Sequence, residues 1–218
     1  MQGFGSICST TTECYVQAMR ACNSSHQFQM CFSLRDELKR LGLKLNPSIY
    51  FELLQACAEG GFVAHALSLL AEMISSDFAD AVGSIHYTLA IRSCESTKSL
   101  KEAQYLFEQA ASLGFKLQLA ACNSLLKQFV IGQRWHDVMT FFQSMPEQGV
   151  RPDSRSYAYL LCAFQELGNA SGAQRALQEM KMARMYASVF LSLDSGRCVA
   201  FTNCFFIALS IFIQSQMS

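Results

Sequence analysis

The stretch Leu119 to Asp153 closes on Glu147-Gln148-Gly149-Val150-Arg151-Pro152-Asp153, and that ending decides how the whole chain is read. Thirty-five residues before Gly149 stands Gly114, within Ser112-Leu113-Gly114-Phe115-Lys116, and a similar element recurs as Arg40-Leu41-Gly42-Leu43-Lys44-Leu45-Asn46. A period of this length marks a solenoid, whose unit cannot bury its apolar face alone and must stack on neighbours. Function is therefore sought on an extended, repeated surface.

Aligning the blocks on their tyrosines and glycines gives five units: residues 12–46, 47–83, 84–118, 119–153 and 154–188. Residues 1–11 are read as a leader or a truncated start, and 189–218 as an apolar C-terminal tail. The fourth residue of each unit is Tyr15, Tyr50, Tyr87, Cys122 or Tyr157. Three and four residues later come Ala18/Met19, Leu53/Leu54, Ala90/Ile91, Leu125/Leu126 and Leu160/Leu161, the spacing of a buried helical face. A second helix follows each first one after a short polar break such as Cys94-Glu95-Ser96-Thr97-Lys98-Ser99. Its stripe is Ala66, Leu70 and Met73, then Ala103, Phe107 and Ala110, then Val138, Phe142 and Met145, then Ala173, Leu177 and Met180. Gly42, Gly114 and Gly149 suit left-handed helix caps, and Asn46 and Asp153 are N-cap types, with Pro47 at the first helical position. The expected fold is all-α, a run of stacked helix-turn-helix units.

Composition removes several function classes. The 17 basic and 17 acidic residues cancel, so no global field draws the chain to nucleic acid or anionic lipid, and RNA binding would rest on local patches. Among the ten cysteines, Cys22, Cys57 and Cys94 recur at the repeat length and are read as small, buried packing residues. No CxxC pair occurs, and His26, His65, His86 and His136 are scattered, read as surface or helix-flank residues. The sequence gives no support for a metal site, a cofactor or catalysis: the HxE-plus-cysteine-pair deaminase pattern and a phosphate-binding glycine loop are both missing. Before Arg20 there is no basic residue, so no targeting peptide is visible in this chain.

The pattern resembles the pentatricopeptide-repeat family, whose 35-residue helical hairpins stack into a right-handed superhelix. The resemblance rests on Cys122-Asn123-Ser124-Leu125-Leu126, Phe141-Phe142-Gln143-Ser144-Met145 and Gly149-Val150-Arg151-Pro152-Asp153 in the fourth unit. Ser156-Tyr157-Ala158-Tyr159-Leu160-Leu161 and Ala176-Leu177-Gln178-Glu179-Met180-Lys181 carry it in the fifth. It implies single-stranded RNA read at about one base per repeat. The fifth residue of a unit would face the base edge and the last would support it.

In the fourth unit these are Asn123 and Asp153, a pairing that by the resemblance favours uridine; in the third they are Thr88 and Gln118. Second residues such as Ala120 and Arg155 would flank the base. The remaining pairs, Val16 with Asn46, Phe51 with Gly83 and Ala158 with Ser188, lack a hydrogen-bonding fifth residue. The family's frequent lysine near the end of the first helix is replaced by Ser24, Glu59, Ser96, Ile131 and Glu166. Asp153 also has an explanation without RNA, as a helix N-cap.

The resemblance thus implies a non-catalytic RNA-binding adaptor in organellar RNA processing, stability or translation, in a mitochondrion or chloroplast. The alternative is a protein-interaction scaffold, such as a subunit of an organellar ribosome, favoured by the neutral charge and the apolar fifth residues. Residues 198–213 form a mostly apolar run short of the roughly 20 residues that span a bilayer. They are open to three readings: a membrane anchor, a helix folded on the end of the solenoid, or a mistranslated extension from a broken gene model.

Overall fold

The computed structural model describes residues 3–182, with side-chain surroundings given from residue 12 onward. The apolar tail at 198–213 lies outside the described residues. The helices run in pairs: α1 (Gly3–Ser24) with α2 (Phe28–Arg40), α3 (Pro47–Gly60) with α4 (Val63–Ile74), and α5 (Ser84–Ser93) with α6 (Leu100–Ser112). Then come α7 (Leu119–Ile131), α8 (Trp135–Ser144), α9 (Ser154–Glu166) and α10 (Ala170–Met182). Among the described residues there is no strand. The fold is an all-α helical-repeat solenoid.

The chain divides within α7 into two compact units, one up to Ser124 and one from Leu125 onward. In the first, α1 packs on α2 and α3, and α3 packs in addition on α2, α4 and α5. Enclosure by four helices explains why α3 buries Ile49, Tyr50, Leu53, Leu54, Ala56 and Cys57 together. In the second unit, α9 packs on α8 and on α10, and Phe129 of α7 meets Phe141 of α8 with ring centroids 5.9 Å apart. Helix α1 begins at Gly3, so it takes in most of the stretch read as a leader.

The helix boundaries follow from local chemistry. Asn46 accepts a hydrogen bond from the Ile49 N–H and Asp153 from the Ser156 N–H, each at 2.9 Å, which satisfies donors that a helix start leaves open. The second helices α2, α6 and α8 end differently. Gly42, Gly114 and Gly149 take φ of 67°, 75° and 77°, and the following N–H reaches back five residues, as from Val150 to the Met145 carbonyl at 2.9 Å.

A second left-handed position, invisible as a glycine pattern, joins the two helices of a hairpin. It is the fifteenth residue of the unit: His26 (φ 58°), Gly61 (73°), Gln133 (56°) and Gly168 (65°). The third repeat departs from this. The buried Ser93 hydroxyl donates to the Ala90 carbonyl at 2.6 Å, and the helix tightens into a 3-10 turn at Cys94–Ser96.

Most of the described cysteines are buried, while Cys14 is exposed. Cys31, Cys57, Cys94, Cys122 and Cys162 are buried free thiols, and Cys22 is half-buried. Burial pushes the Cys31 and Cys57 thiols up to about 12, and Cys94 and Cys122 up to about 11, which makes them poor nucleophiles.

One expectation needs correction. His86 is not a surface residue: it lies buried in the first turn of α5, where its Nδ1 accepts from the Gly83 N–H at 3.1 Å. Gly83 has no side chain to cap the helix, so the imidazole satisfies the open end instead, and burial lowers its pKa. His26, His65 and His136 are exposed.

The left-handed turns make a testable ranking. A left-handed non-glycine residue costs about 1–2 kcal/mol, offset by the roughly 0.5–1 kcal/mol of extra chain entropy that glycine loses on folding. Gln133→Gly should therefore stabilise the protein by about 0.5 kcal/mol, and Gly168→Ala should destabilise it by about 1 kcal/mol. Gly61→Ala should cost more than Gly168→Ala, because its new Cβ would run into the Ser96 hydroxyl while that of Gly168 meets nothing. Thermal unfolding of the three variants checks the order.

Candidate nucleic-acid interface

On a helix, residues 2, 5, 9 and 12 or 13 of each unit lie along one stripe. In α1 that stripe is Glu13, Val16, Arg20 and Asn23; in α3, Ser48, Phe51, Gln55 and Glu59; in α5 it starts Ile85, Thr88, Arg92 and continues to Glu95. Helix α7 opens it again with Ala120 and Asn123. Polar contacts tie these stripes together from one repeat to the next.

Arg20 Nε donates to Glu52 Oε1 at 3.0 Å, and Asn23 Nδ2 donates to the Glu52 carbonyl and to Oε2 at 3.0 and 3.1 Å. The Glu52 side chain is 5 % exposed against 57 % for Arg20, so the carboxylate depends on these donors while the guanidinium keeps its water. Arg92 Nη2 pairs with Glu59 Oε1 at 2.8 Å, and the Ser124 hydroxyl donates to Glu95 Oε1 at 2.6 Å. The basic residues Arg20 and Arg92 of the stripe are thus already neutralised by glutamates of the next or preceding repeat.

These junctions share one geometry that the sequence reading did not find. The twelfth residue of one repeat meets the sixth of the next: Asn23 with Glu52, then Glu95 with Ser124. At the intervening junction the same two places hold Ala58 and Leu89, both apolar. The signal was available as matched polarity, polar with polar and apolar with apolar, at about thirty residues' separation. It was hidden because neither residue type is a family landmark.

The proposed base readers occupy varied surroundings. Asn123 is 4 % exposed and Thr88 is 2 % exposed, so both sit within the packed first-helix layer. Thr88 Oγ1 donates to the Ser84 carbonyl at 2.8 Å, which spends its proton on its own helix and leaves its lone pairs. Gln118 is exposed at the start of α7, where its carbonyl accepts from the Ala121 and Cys122 N–H groups at 3.0 and 3.3 Å. No hydrogen bond joins Thr88 to Gln118 among the described residues.

Asn123 belongs to the first compact unit and Asp153 to the second. Asp153 is half-buried as the N-cap of α9, and its Oδ1 accepts from both the N–H and the hydroxyl of Ser156, at 2.9 and 3.0 Å. Ala120 and Arg155 are exposed, as flanking residues need to be. Of the apolar fifth residues, Val16 is buried while Phe51 and Ala158 are half-buried.

Glu52 gives the junctions a direct test. Arg20→Ala should destabilise the protein by about 2 kcal/mol, below the usual figure for a buried pair because Arg20 is half in water and Asn23 remains. Adding Glu52→Leu, which copies Leu89 of the next repeat, should recover most of that loss in denaturant titrations. Additive losses in the double variant would show that the contact carries no coupling.

Comparison with known proteins bears on this surface. A family model described as a pentatricopeptide repeat domain matches residues 105–167, and a second, described as a PPR repeat, matches residues 53–78. Among solved structures, the chain is similar to the PPR domain of Arabidopsis thaliana protein-only RNase P 1 in complex with tRNA. That match has TM-score 0.66 and 18 % identity and covers 89 % of this chain and 96 % of that one. It is also similar to the pentatricopeptide repeat protein PPR10 from maize, with TM-score 0.67 and 18 % identity, covering 93 % of this chain and 29 % of that one. Nuclear proteinaceous RNase P 2 from A. thaliana matches with TM-score 0.65 and 15 % identity, over 76 % of this chain and 37 % of that one. The chain therefore spans about a third of the length of these last two proteins. No curated protein matches it by sequence.

Proposed function

From a chain that belongs to the pentatricopeptide-repeat family, we propose a non-catalytic adaptor that binds single-stranded RNA along its first helices and serves organellar RNA processing, stability or translation, in a mitochondrion or chloroplast. The observation that carries this reading is Asn123. It is the polar fifth residue of the first helix in the repeat where the family model matches, set beside an exposed flanking residue, Ala120. A primary amide offers both a donor and an acceptor, which suits a pyrimidine edge. Asp153 and the exposed Arg155 open the next first helix, and a guanidinium can stack on a base. A similar repeat domain, that of protein-only RNase P 1, is described in complex with tRNA.

Affinity on this reading comes from a few base contacts more than from phosphates, since Arg20 and Arg92 are paired with Glu52 and Glu59. The same pairing, together with Val16, Phe51 and Ala158 at fifth positions, favours the second reading, a scaffold for protein partners.

Fluorescence anisotropy with labelled single strands separates the two. Asn123→Ala should weaken binding to a uridine-containing strand by about 5- to 150-fold, the equivalent of 1–3 kcal/mol for one good base contact. Asp153→Asn, which keeps a good N-cap, should leave unfolding unchanged while weakening the same strand. Equal affinity of wild type and a folded Asn123→Ala variant for that strand would remove Asn123 as a reader.

A further inference from the structure

The first-helix stripe of the first compact unit carries Arg20 and Arg92, each paired with a glutamate of α3, and the two pairs differ in what they can release. Glu52 is enclosed, at 5 % exposure, and accepts from Arg20 and from Asn23. Withdrawing Arg20 would leave a carboxylate out of water with part of its donors gone, so that guanidinium is committed to the junction. Glu59 and Arg92 are open by comparison, with side chains 38 % and 30 % exposed. Water can replace either partner, and a pair of this kind holds its members weakly.

Glu59 also keeps a second donor. Gln55 Nε2, one turn back on α3, reaches Glu59 Oε1 at 3.0 Å, the same oxygen that Arg92 Nη2 reaches at 2.8 Å. When Arg92 swings away, the carboxylate stays hydrogen-bonded and hydrated where it stands. Arg92 lies one turn beyond Thr88 on α5, about 6 Å along the axis. Its guanidinium presents a flat fork of donors that matches a phosphodiester as well as a carboxylate.

Resting on the RNA-binding reading above, we infer that Arg92 is the residue that takes a backbone phosphate of the single strand, exchanging Glu59 for it, and that Glu59 thereby sets how tightly the strand is held. The exchange has a thermodynamic signature. An unpaired arginine that meets a phosphate lets the RNA release a condensed cation, which adds about 0.7 to the slope of log K against log salt for each phosphate of a single strand. Where Glu59 is displaced, the bared carboxylate attracts cations in its turn, so the contact adds strength with little salt dependence. Removing the charge of Glu59 removes the competitor and restores the ordinary slope.

Glu59→Gln keeps the size of the side chain without its charge, and Glu108→Gln removes the same charge at an exposed place on α6. Glu59 is exposed in the last turn of α3, where an acid is unfavourable to the helix, so Glu59→Gln should unfold in denaturant at or above wild type. The binding test is fluorescence anisotropy of the full chain with a labelled uridine-containing single strand, from about 50 to about 200 mM salt. Glu59→Gln should bind about two- to fivefold tighter at the low end and steepen the slope by about 0.7, while Glu108→Gln behaves as wild type. Adding Arg92→Gln to Glu59→Gln should cancel both changes. Unchanged affinity and slope in Glu59→Gln would overturn the assignment while wild-type binding keeps the RNA reading. An equal gain from Glu108→Gln, or a gain that survives Arg92→Gln, would overturn it by reducing the effect to net charge. Absence of binding by wild type and every variant is the separate failure of the RNA reading, and it removes this assignment as well.

Discussion

No hairpin in this chain can bury both sides of its first helix, and the structure follows from that constraint. Helix α3 carries apolar residues on much of its circumference, and it buries Ile49, Tyr50, Leu53, Leu54, Ala56 and Cys57 because α1, α2, α4 and α5 all pack on it. A buried leucine or isoleucine contributes about 1.5–3 kcal/mol, so Ile49, Leu53 and Leu54 alone account for a large share of what holds the second repeat in place. Stability in such an array belongs to the junctions between neighbours as much as to the repeats themselves.

The junctions also decide what remains for function. Burial is non-directional and leaves the register between successive first helices underdetermined, whereas a carboxylate enclosed at Glu52 accepts only a geometry in which Arg20 and Asn23 both reach it. Glu95 and Ser124 impose the same offset two repeats later. Fixing register in this way uses charges that a nucleic-acid surface would otherwise offer to phosphate. The stripe is consequently polar without being strongly basic, in keeping with the chain's zero formal net charge.

The sequence disclosed those features whose chemistry is local. Asn46 and Asp153 cap helices because a short side-chain oxygen satisfies open N–H groups wherever it stands, and Gly42, Gly114 and Gly149 end them because a left-handed residue favours glycine. Features that depend on what the chain meets later were hidden. His26 and Gln133 take the same left-handed turn as Gly61 and Gly168, held there by the closing hydrogen bonds of the hairpin, so no composition signal marked them. His86 looked like a surface residue until Gly83 was seen to need a cap. Of the candidate site, the positions of Asn123 and Thr88 on first helices were legible, but their near-complete burial was not, because it comes from packing of the whole layer.

The central functional claim is that the first-helix face holds a single strand of RNA through its bases and a small number of phosphates. The most direct measurement is the affinity of the purified chain for a labelled single-stranded RNA as monovalent salt rises from about 50 to about 200 mM. The account predicts measurable binding that weakens with a shallow slope, of about two or three phosphates neutralised, and that a duplex of the same sequence does not reproduce. No binding to any single strand at the lowest salt would contradict it.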